Sequence, residues 1–389
     1  MYEYDSRKIT SGNIFICLPK GEGYCEGALK NGAKEIIKCS RKEMADLANS
    51  YYEFPSEKMF VVGVTGTNGK SSVTSFVHQA LCELGKKSYL QGTLSSALTT
   101  PESLDSIRSM KAHLDNRGQY FVMEVSSHGI DQDRVSGIDF DVKCLTNITQ
   151  DHLDYHKSFD AYKRVKLDFM QKYPGESIYT EYFNTLEPIS NPFVLGEFNQ
   201  ENLKAALAIL LKLGFSTEES IAALQRVYPV EGRFERIDVY PKRNVIVDYA
   251  HSPDGISVVA KQARKLADNG KGKLFICFGC GGDRDRSKRK IMAQKACEFA
   301  DFVMITQDNP RHEDPNQIIE DIKLGISAHV DHHIIHDRKR AIESVLAMAT
   351  NKDIVLIAGK GHEDYQIIGS QRYYFKDKEI VLDWCKENL

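Results

Sequence analysis

Val61-Val-Gly-Val-Thr-Gly-Thr-Asn-Gly-Lys-Ser-Ser72 is an apolar run, then a glycine-rich turn, then Lys-Ser. An apolar run without polar alternation marks a strand buried on both faces. Past Lys70 the apolar residues Val73, Phe76, Val77, Ala80, Leu81 and Leu84 recur at the helical period, and Gly85 closes the stripe. Strand, glycine turn and helix in this order make a phosphate cradle. The turn's N–H groups converge on phosphate oxygens, and the helix presents its positive end to them. Gly66, Thr67, Asn68, Gly69, Lys70, Ser71 and Ser72 therefore span a candidate nucleotide site, with Lys70 reaching the β/γ-phosphates and Ser71 taking a Mg²⁺. Val64 stands where the standard Walker A spacing has its first glycine.

The same alternation of strand and helix runs outward from this loop. Met59–Val64, Tyr120–Val125, Val142–Leu145, Asn244–Val247, Lys273–Phe278, Phe302–Thr306 and Asp353–Ala358 read as buried strands, and Glu201–Leu213 and Arg338–Met348 as helices. Repetition of this kind predicts an α/β fold of parallel sheets flanked by helices, with sites at the carboxyl ends of strands. Pro55 lies in one composition break, and Pro229 with Gly232 marks another. They divide the chain into a small N-terminal α/β domain (1–57), a central P-loop domain (58–229) and a Rossmann-like C-terminal domain (230–389). The length of 389 residues is ordinary for that number of domains.

Lysine and arginine number 51 against 54 acidic residues, for a formal net charge of −3, so no nucleic-acid footprint or polybasic membrane patch is expected. Apolar runs stay well short of the roughly 18 residues that span a bilayer, and no secretory leader is legible at Met1. The nine cysteines are scattered and odd in number, which suits reduced thiols in a cytosol.

Phosphoryl transfer calls for metal ligands facing the loop. Glu124 ends the strand that leads into Glu124-Val-Ser-Ser-His128, and His152 lies in Asn147-Ile-Thr-Gln-Asp151-His152-Leu-Asp154-Tyr-His156. Two polar residues at successive strand ends beside a phosphate loop are candidate Mg²⁺ ligands, the carboxylate being the better suited. Lys166, in Tyr162-Lys-Arg-Val-Lys166-Leu-Asp-Phe169, reads from its sequence as a solvated helix residue.

Thr65-Gly-Thr-Asn-Gly-Lys-Ser71, Glu124-Val-Ser-Ser-His128-Gly and Asn147…Asp151-His152-Leu-Asp154 together resemble the ATP-dependent Mur ligases of peptidoglycan synthesis. Asp248-Tyr-Ala-His251-Ser-Pro253, Gly279-Cys-Gly-Gly-Asp-Arg284-Asp-Arg286, Asp308-Asn-Pro-Arg311 and Gly359-Lys-Gly-His-Glu363 look like the branch of that family that adds the third amino acid. The motifs run in order from about residue 5 to 375. The resemblance implies that ATP phosphorylates the free carboxylate of UDP-N-acetylmuramoyl-L-alanyl-D-glutamate, and that the amine of meso-diaminopimelate displaces phosphate from the resulting acyl phosphate. A mixed anhydride splits one difficult step into two easier ones.

Carried over position by position, the resemblance assigns further roles. Glu124, His152 and Lys166, the last as a carbamate, match metal-site residues for what would be two Mg²⁺ ions. Asn199, Asn202, Arg233 and His251 match nucleotide-side residues. Ser6, in Asp5-Ser6-Arg7, matches a residue that holds the uracil, while Thr99, Thr100, Ser126, Gln132 and Arg134 match positions that hold the UDP-sugar-dipeptide. Arg284, Asp308, Asn309, Pro310, Arg311, Gly359 and Glu363 match the diaminopimelate site, where Arg311 offers a planar fork to the distal carboxylate and Glu363 an anion to an ammonium. Contacts to ATP from two domains imply closure of the cleft in which the substrates meet. The protein is expected to be monomeric.

Some features depart from the pattern. The 57 residues ahead of the central domain are fewer than the family usually has, and a piece so small is expected to lean on its neighbour. Leu98 stands where many relatives have asparagine. Cys277-x-x-Cys280 reads as structural, His329, His332, His333 and His336 as an exposed loop leading into a strand, and Arg286, Lys288, Arg289 and Lys290 as a solvated face. The competing readings are a related amide ligase, a folylpolyglutamate synthetase, and a nucleotide-binding regulatory protein without turnover. Asp308-Asn-Pro-Arg311 and Asp5-Ser6-Arg7 speak against the folate enzyme.

Overall fold

The strand before the glycine loop, Phe60–Thr65, is the middle strand of a five-stranded parallel sheet. Ser88–Gln91 and Tyr120–Glu124 lie on one side of it, Val142–Leu145 and Glu176–Ile178 on the other. The computed structural model describes residues 1–93, 95–96, 98–149, 151–239 and 243–388; Gln150 and the side chain of Asp154, both within the His152 motif, lie outside the described residues. Met1–Val194 with Phe198–Tyr228 form one unit, and Leu195–Glu197 with Pro229–Leu389 the other.

Period-2 alternation sorts the buried strands of the first unit onto two cores. Val62, Val64 and Val122 pack with Val73, Phe76, Val77, Ala80 and Leu81, the stripe of the helix Lys70–Glu83. Val61, Phe121 and Met123 face the opposite way, into Leu104, Ile107, Phe140 and Phe169. Coverage on both faces is why these strands read as continuous apolar runs. Phe76→Ala removes a ring that is 1% exposed from the first core. It is expected to cost about 3–5 kcal/mol of stability, read by urea unfolding; a loss under about 1 kcal/mol would contradict this packing.

The first 57 residues carry their own three-stranded parallel sheet, Tyr2–Glu3, Ile14–Cys17 and Glu35–Lys38. Its private core is Ile9, Phe15, Cys17 and Ala28, with Cys25, Ala33 and Ile36 partly buried against it. Ile16 points the other way and joins Met44, Ala45, Ala48 and Tyr52 in the cluster that contains Val61 and Leu104. Arg108 adds ties by donating to Tyr2 O at 2.7 Å and pairing with Glu3 at 3.4 Å. A core of four buried residues cannot hold a fold alone, so this segment borrows the core of the central sheet.

The second unit is a six-stranded sheet in the order Asp331–Ile334, Phe302–Ile305, Leu274–Phe278, Ile354–Ala358, Arg243–Asp248, Glu235–Val239. All neighbours are parallel except the last pair. A hairpin, Tyr365–Ile368 with Gln371–Tyr374, follows the strand Ile354–Ala358.

Several expectations need correction. Arg289 is not on a solvated face; it is fully buried, and its guanidinium grips Glu313 through two 2.7 Å bonds and Asp321 through one of 2.8 Å. A basic run is ambiguous in sequence because its carboxylate partners lie 24 and 32 residues away. His332 and His333 sit within the edge strand Asp331–Ile334 rather than in a loop before it. The helix read as Glu201–Leu213 begins earlier, at Glu197. Cys277 and Cys280 are buried, and burial pushes both thiols up to about 12. Among the described residues no helix is long and apolar enough to cross a membrane.

Candidate functional site

Register brings the first unit's chemistry together. Val64, two residues before Gly66, pairs with Glu124 on one side and Cys144 on the other, so the carboxyl ends of three strands open at one edge. The loop that follows is shaped by close approaches that leave no room for side chains. A Cβ on Gly66 (φ +150°) would lie 1.9 Å from Thr146 Oγ1, and one on Gly69 (φ +86°) 2.4 Å from Asn202 Oδ1. Asn202 donates to Asn199 Oδ1 at 3.0 Å, and both are buried, which places this pair of the helix Glu197–Lys212 against the loop. Asn68 N donates to Asn147 Oδ1 at 2.9 Å, and Thr67 Oγ1 lies 2.9 Å from the Tyr162 hydroxyl.

Lys70 Nζ folds back onto Gly66 O and Thr67 O, each at 2.9 Å. Ser71 Oγ donates to Glu124 Oε2 at 2.8 Å, and the other oxygen of Glu124 accepts from Thr93 N at 2.8 Å. Two hard oxygens side by side at the head of a phosphate-type helix suit Mg²⁺, which is held by one or two carboxylates plus substrate phosphates. No group of three His, Cys, Asp or Glu side chains is preassembled for a metal among the described residues. The donor set thus fits an ion whose remaining ligands arrive with a nucleotide.

Lys166 is the principal correction to the sequence reading. It is 1% exposed, on the face of the helix Phe159–Lys172 that also buries Tyr162, Phe169 and Met170. Its Nζ donates to Gly66 O at 2.8 Å, the same oxygen that Lys70 uses, and lies 4.8 Å from the Tyr162 ring centroid. Burial first, and the Lys70 charge second, hold its amine well below the usual lysine range, against a weaker pull from Asp151. Two ammonium groups on one oxygen in a buried site repel each other, which favours the uncharged form of Lys166.

A cavity of about 260 Å³ lies beside this cluster, lined by Gly66, Lys70, Thr99, Thr100, Ser126, Arg134, His152 and Lys166 from the expected set. Arg134 donates to Thr100 O at 3.1 Å and to Gln132 Oε1 at 2.6 Å. Thr100 Oγ1 accepts from Ser126 N at 2.9 Å. Thr99 Oγ1 lies 3.1 Å from Thr93 Oγ1. His152 is half-exposed at φ +51°, with Nε2 3.5 Å from Asp151. Ser72 is buried in the helix that follows the loop. Ser6 is not among the lining residues; it sits on the turn Ser6–Lys8, where its carbonyl accepts from Asn31 at 2.9 Å.

Sequence reasoning missed Thr93, His128 and Tyr162. Tyr162 lies one turn before Lys166, a spacing that could have revealed it. Thr93 follows the four-residue strand Ser88–Gln91, which carries no apolar run to announce it. His128 joins the lining with its ring centroid 4.9 Å from that of His152.

In the second unit, three adjacent strands end in Gly279–Gly282, Asp308–Arg311 and Gly359–Glu363. Arg311 (φ +53°) is pinned through its backbone to the hairpin, donating to Ile367 O at 3.1 Å and accepting from Gly369 N at 2.7 Å. Its Nη1 donates to Gly282 O at 2.8 Å. Pro310 O would lie 1.9 Å from a Cβ on Gly282, and Asp308 Oδ2 3.3 Å from one on Gly359, so the three turns are tightly nested. Asn309 Nδ2 donates to Glu363 Oε2 at 3.1 Å. Arg284 is exposed and donates to Asp283 O at 3.1 Å. Arg233 stacks on Tyr249 at 4.5 Å, and His251 Nδ1 lies 2.9 Å from Tyr249 O. Asp248 accepts from Phe234 N and Ala250 N, each at 2.6 Å, and burial pushes its carboxyl up to about 6.

The chain is similar to known proteins. The Mur ligase middle domain matches residues 64–184, and the Mur ligase glutamate ligase domain matches residues 232–361. The chain is 38% identical to the UDP-N-acetylmuramoyl-L-alanyl-D-glutamate--2,6-diaminopimelate ligase of Geobacillus kaustophilus (strain HTA426), over 464 aligned positions covering 99% of this chain and 94% of that one. To the protein of that name from Fusobacterium nucleatum subsp. nucleatum it is 36% identical, covering 97% and 92%. The 464 positions exceed the 389 residues of this chain, so the relative carries residues that this chain lacks. A solved structure of a ligase of the same name superposes with a TM-score of 0.66 at 30% identity, covering 99% and 94%. The MurF ligase of Thermotoga maritima, in complex with ADP, shares the fold at 16% identity, with a TM-score of 0.67 and coverage of 92% and 93%. The loop, the strand-end acid and the nested turns of the second unit thus occur in a chain that aligns with such ligases over nearly its whole length: this chain belongs to the Mur ligase family.

Proposed function

We propose that this protein is an ATP-dependent ligase that joins meso-diaminopimelate to UDP-N-acetylmuramoyl-L-alanyl-D-glutamate in peptidoglycan precursor synthesis. One observation carries the reading: a buried amine, a phosphate-type loop and an arginine-lined cavity meet at the carboxyl ends of adjacent strands. Lys70 and the N–H groups of residues 66–72 hold the ATP phosphates, with Asn199 and Asn202 behind the loop. Thr99, Thr100, Ser126, Gln132 and Arg134 hold the UDP-sugar-dipeptide so that its free carboxylate oxygen attacks the γ-phosphorus as ADP departs. The amine then attacks the acyl carbon, and inorganic phosphate leaves with the electron pair of the C–O bond.

Ser71, Glu124, His152 and Lys166 as a carbamate are the proposed holders of Mg²⁺, which would shield charge on the transferring phosphoryl group. A buried Lys166 amine whose pKa is held well below the usual lysine range supports that role. Its uncharged form can attack CO₂: an N–C bond forms as one C=O π pair moves onto oxygen, a proton leaves the nitrogen, and the side chain becomes an anionic oxygen ligand. Arg233 and His251 belong to the nucleotide side, Ser6 to the uracil, and Arg284, Asp308, Asn309, Pro310, Arg311, Gly359 and Glu363 to diaminopimelate. The same reading makes the enzyme a cytoplasmic monomer working as three functional parts, 1–57, 58–229 and 230–389.

Phosphate release with ATP, Mg²⁺ and the UDP-dipeptide, comparing meso-diaminopimelate with L-lysine, tests the proposal. Turnover is expected with diaminopimelate. Turnover with lysine alone would keep the ligase and overturn the role of Arg311. Silence with both would overturn the function. Omission of Mg²⁺ or addition of excess chelator is expected to abolish release.

A further inference from the structure

Lys360 lies inside the second-unit motif but in none of the roles assigned so far. It is 0% exposed, and its Nζ sits among three side-chain acceptors: Glu363 Oε2 at 3.1 Å, Asn309 Oδ1 at 3.2 Å and Asp308 Oδ1 at 3.3 Å. An ammonium has three N–H donors and no acceptor, so these partners use its whole capacity. The partners come from two different strand ends, the turn after Phe302–Ile305 and the turn after Ile354–Ala358. Nζ also lies 5.4 Å from the Tyr365 ring centroid.

The consequence falls on Glu363. Its Oε2 accepts from both Lys360 and Asn309, and its Oε1 accepts from the Tyr365 hydroxyl at 3.2 Å. The carboxylate is held from both ends, with capacity left on Oε1 for one more donor. Charge counting agrees. Within this hydrogen-bonded cluster, Asp308 and Glu363 contribute two negative charges and Lys360 one positive. What remains suits a single ammonium. Without Lys360, neither carboxylate would have a cation within this cluster, and Glu363 would keep only Asn309 and Tyr365 to direct it.

We propose that Lys360 is a positioning residue that holds Glu363 and Asp308 in the geometry that receives one ammonium of the amino-acid substrate, and so sets affinity for that substrate rather than the rate of phosphoryl transfer. This inference rests on the ligase reading above. Lys360→Met keeps the length and volume of the side chain and removes the charge, and Lys360→Gln is a second neutral variant should the first not fold. Lys360→Arg restores the charge.

In phosphate-release assays, both neutral variants are expected to raise KM for meso-diaminopimelate at least tenfold. Saturated kcat, KM for ATP and KM for the UDP-dipeptide should stay within twofold, and the arginine variant should recover KM to within threefold of the parent. A fall in kcat with an unchanged amino-acid KM would overturn the proposal, as would parallel losses in every parameter. Parent protein that releases no phosphate with diaminopimelate overturns the ligase reading instead. Calorimetric titration of meso-diaminopimelate into parent and Lys360→Met then decides the present proposal: weaker binding to the variant supports it, and equal binding, or none to either, overturns it.

Discussion

Replacing Lys166 by alanine is expected to reduce phosphate release by roughly 10³-fold or more, about 4 kcal/mol of lost transition-state stabilisation. The argument starts from the 1% exposure of this side chain and its 2.8 Å bond to Gly66 O. A lysine so placed cannot serve as a solvated surface cation. Burial and the neighbouring Lys70 lower its pKa, which favours the free amine, the form that takes up CO₂. Alanine removes both the amine and the anion it would become, and leaves a hole beside the phosphate loop. Acetate, formate or propionate should therefore restore part of the activity by supplying carboxylate oxygens to that hole. Lys166→Arg should not be rescued, because guanidinium fills the space and stays protonated. Full activity in the alanine variant would overturn the assignment. So would the absence, in the active parent protein, of a ¹³C carbamate resonance after equilibration with ¹³C-bicarbonate.

Arg311→Lys is expected to lower kcat/KM for meso-diaminopimelate by roughly 30–100-fold, about 2–3 kcal/mol, while discrimination against L-lysine shrinks by a similar factor. Arg311 is held by its backbone to the hairpin and by Nη1 to Gly282 O, so the guanidinium plane is set before any ligand arrives. A planar fork matches a carboxylate with two parallel bonds. A lysine ammonium offers one point charge and must give up more side-chain freedom to do so. The measurement is the ratio of kcat/KM for the two amino acids in the parent and in the variant. An unchanged ratio would remove Arg311 from specificity and leave the recognition of the distal carboxylate to Arg284.

The largest departures between sequence and structure share one cause. Tyr162 and Lys166 are four apart and face the same way, yet nothing local says whether that face meets water or the loop around Gly66, 100 residues earlier. Arg289 belongs to a basic run whose character is decided by Glu313 and Asp321, also distant in the chain. Thr93 follows a short polar strand that no apolar pattern announces.

Sequence by itself determined the layered α/β class, the glycine turn with the helix that follows it and the identity of the motif residues. Each depends on local periodicity, on glycine at a turn or on side-chain chemistry, which are short-range properties. Tertiary structure alone decided that Glu124 stands beside Ser71, that Lys166 is buried against Gly66, which residues join the small N-terminal sheet to the central core, and that Lys360 lies between Asp308 and Glu363. Those outcomes depend on strand order and register, which bring distant residues within hydrogen-bond range and set the dielectric in which their charges are paid for.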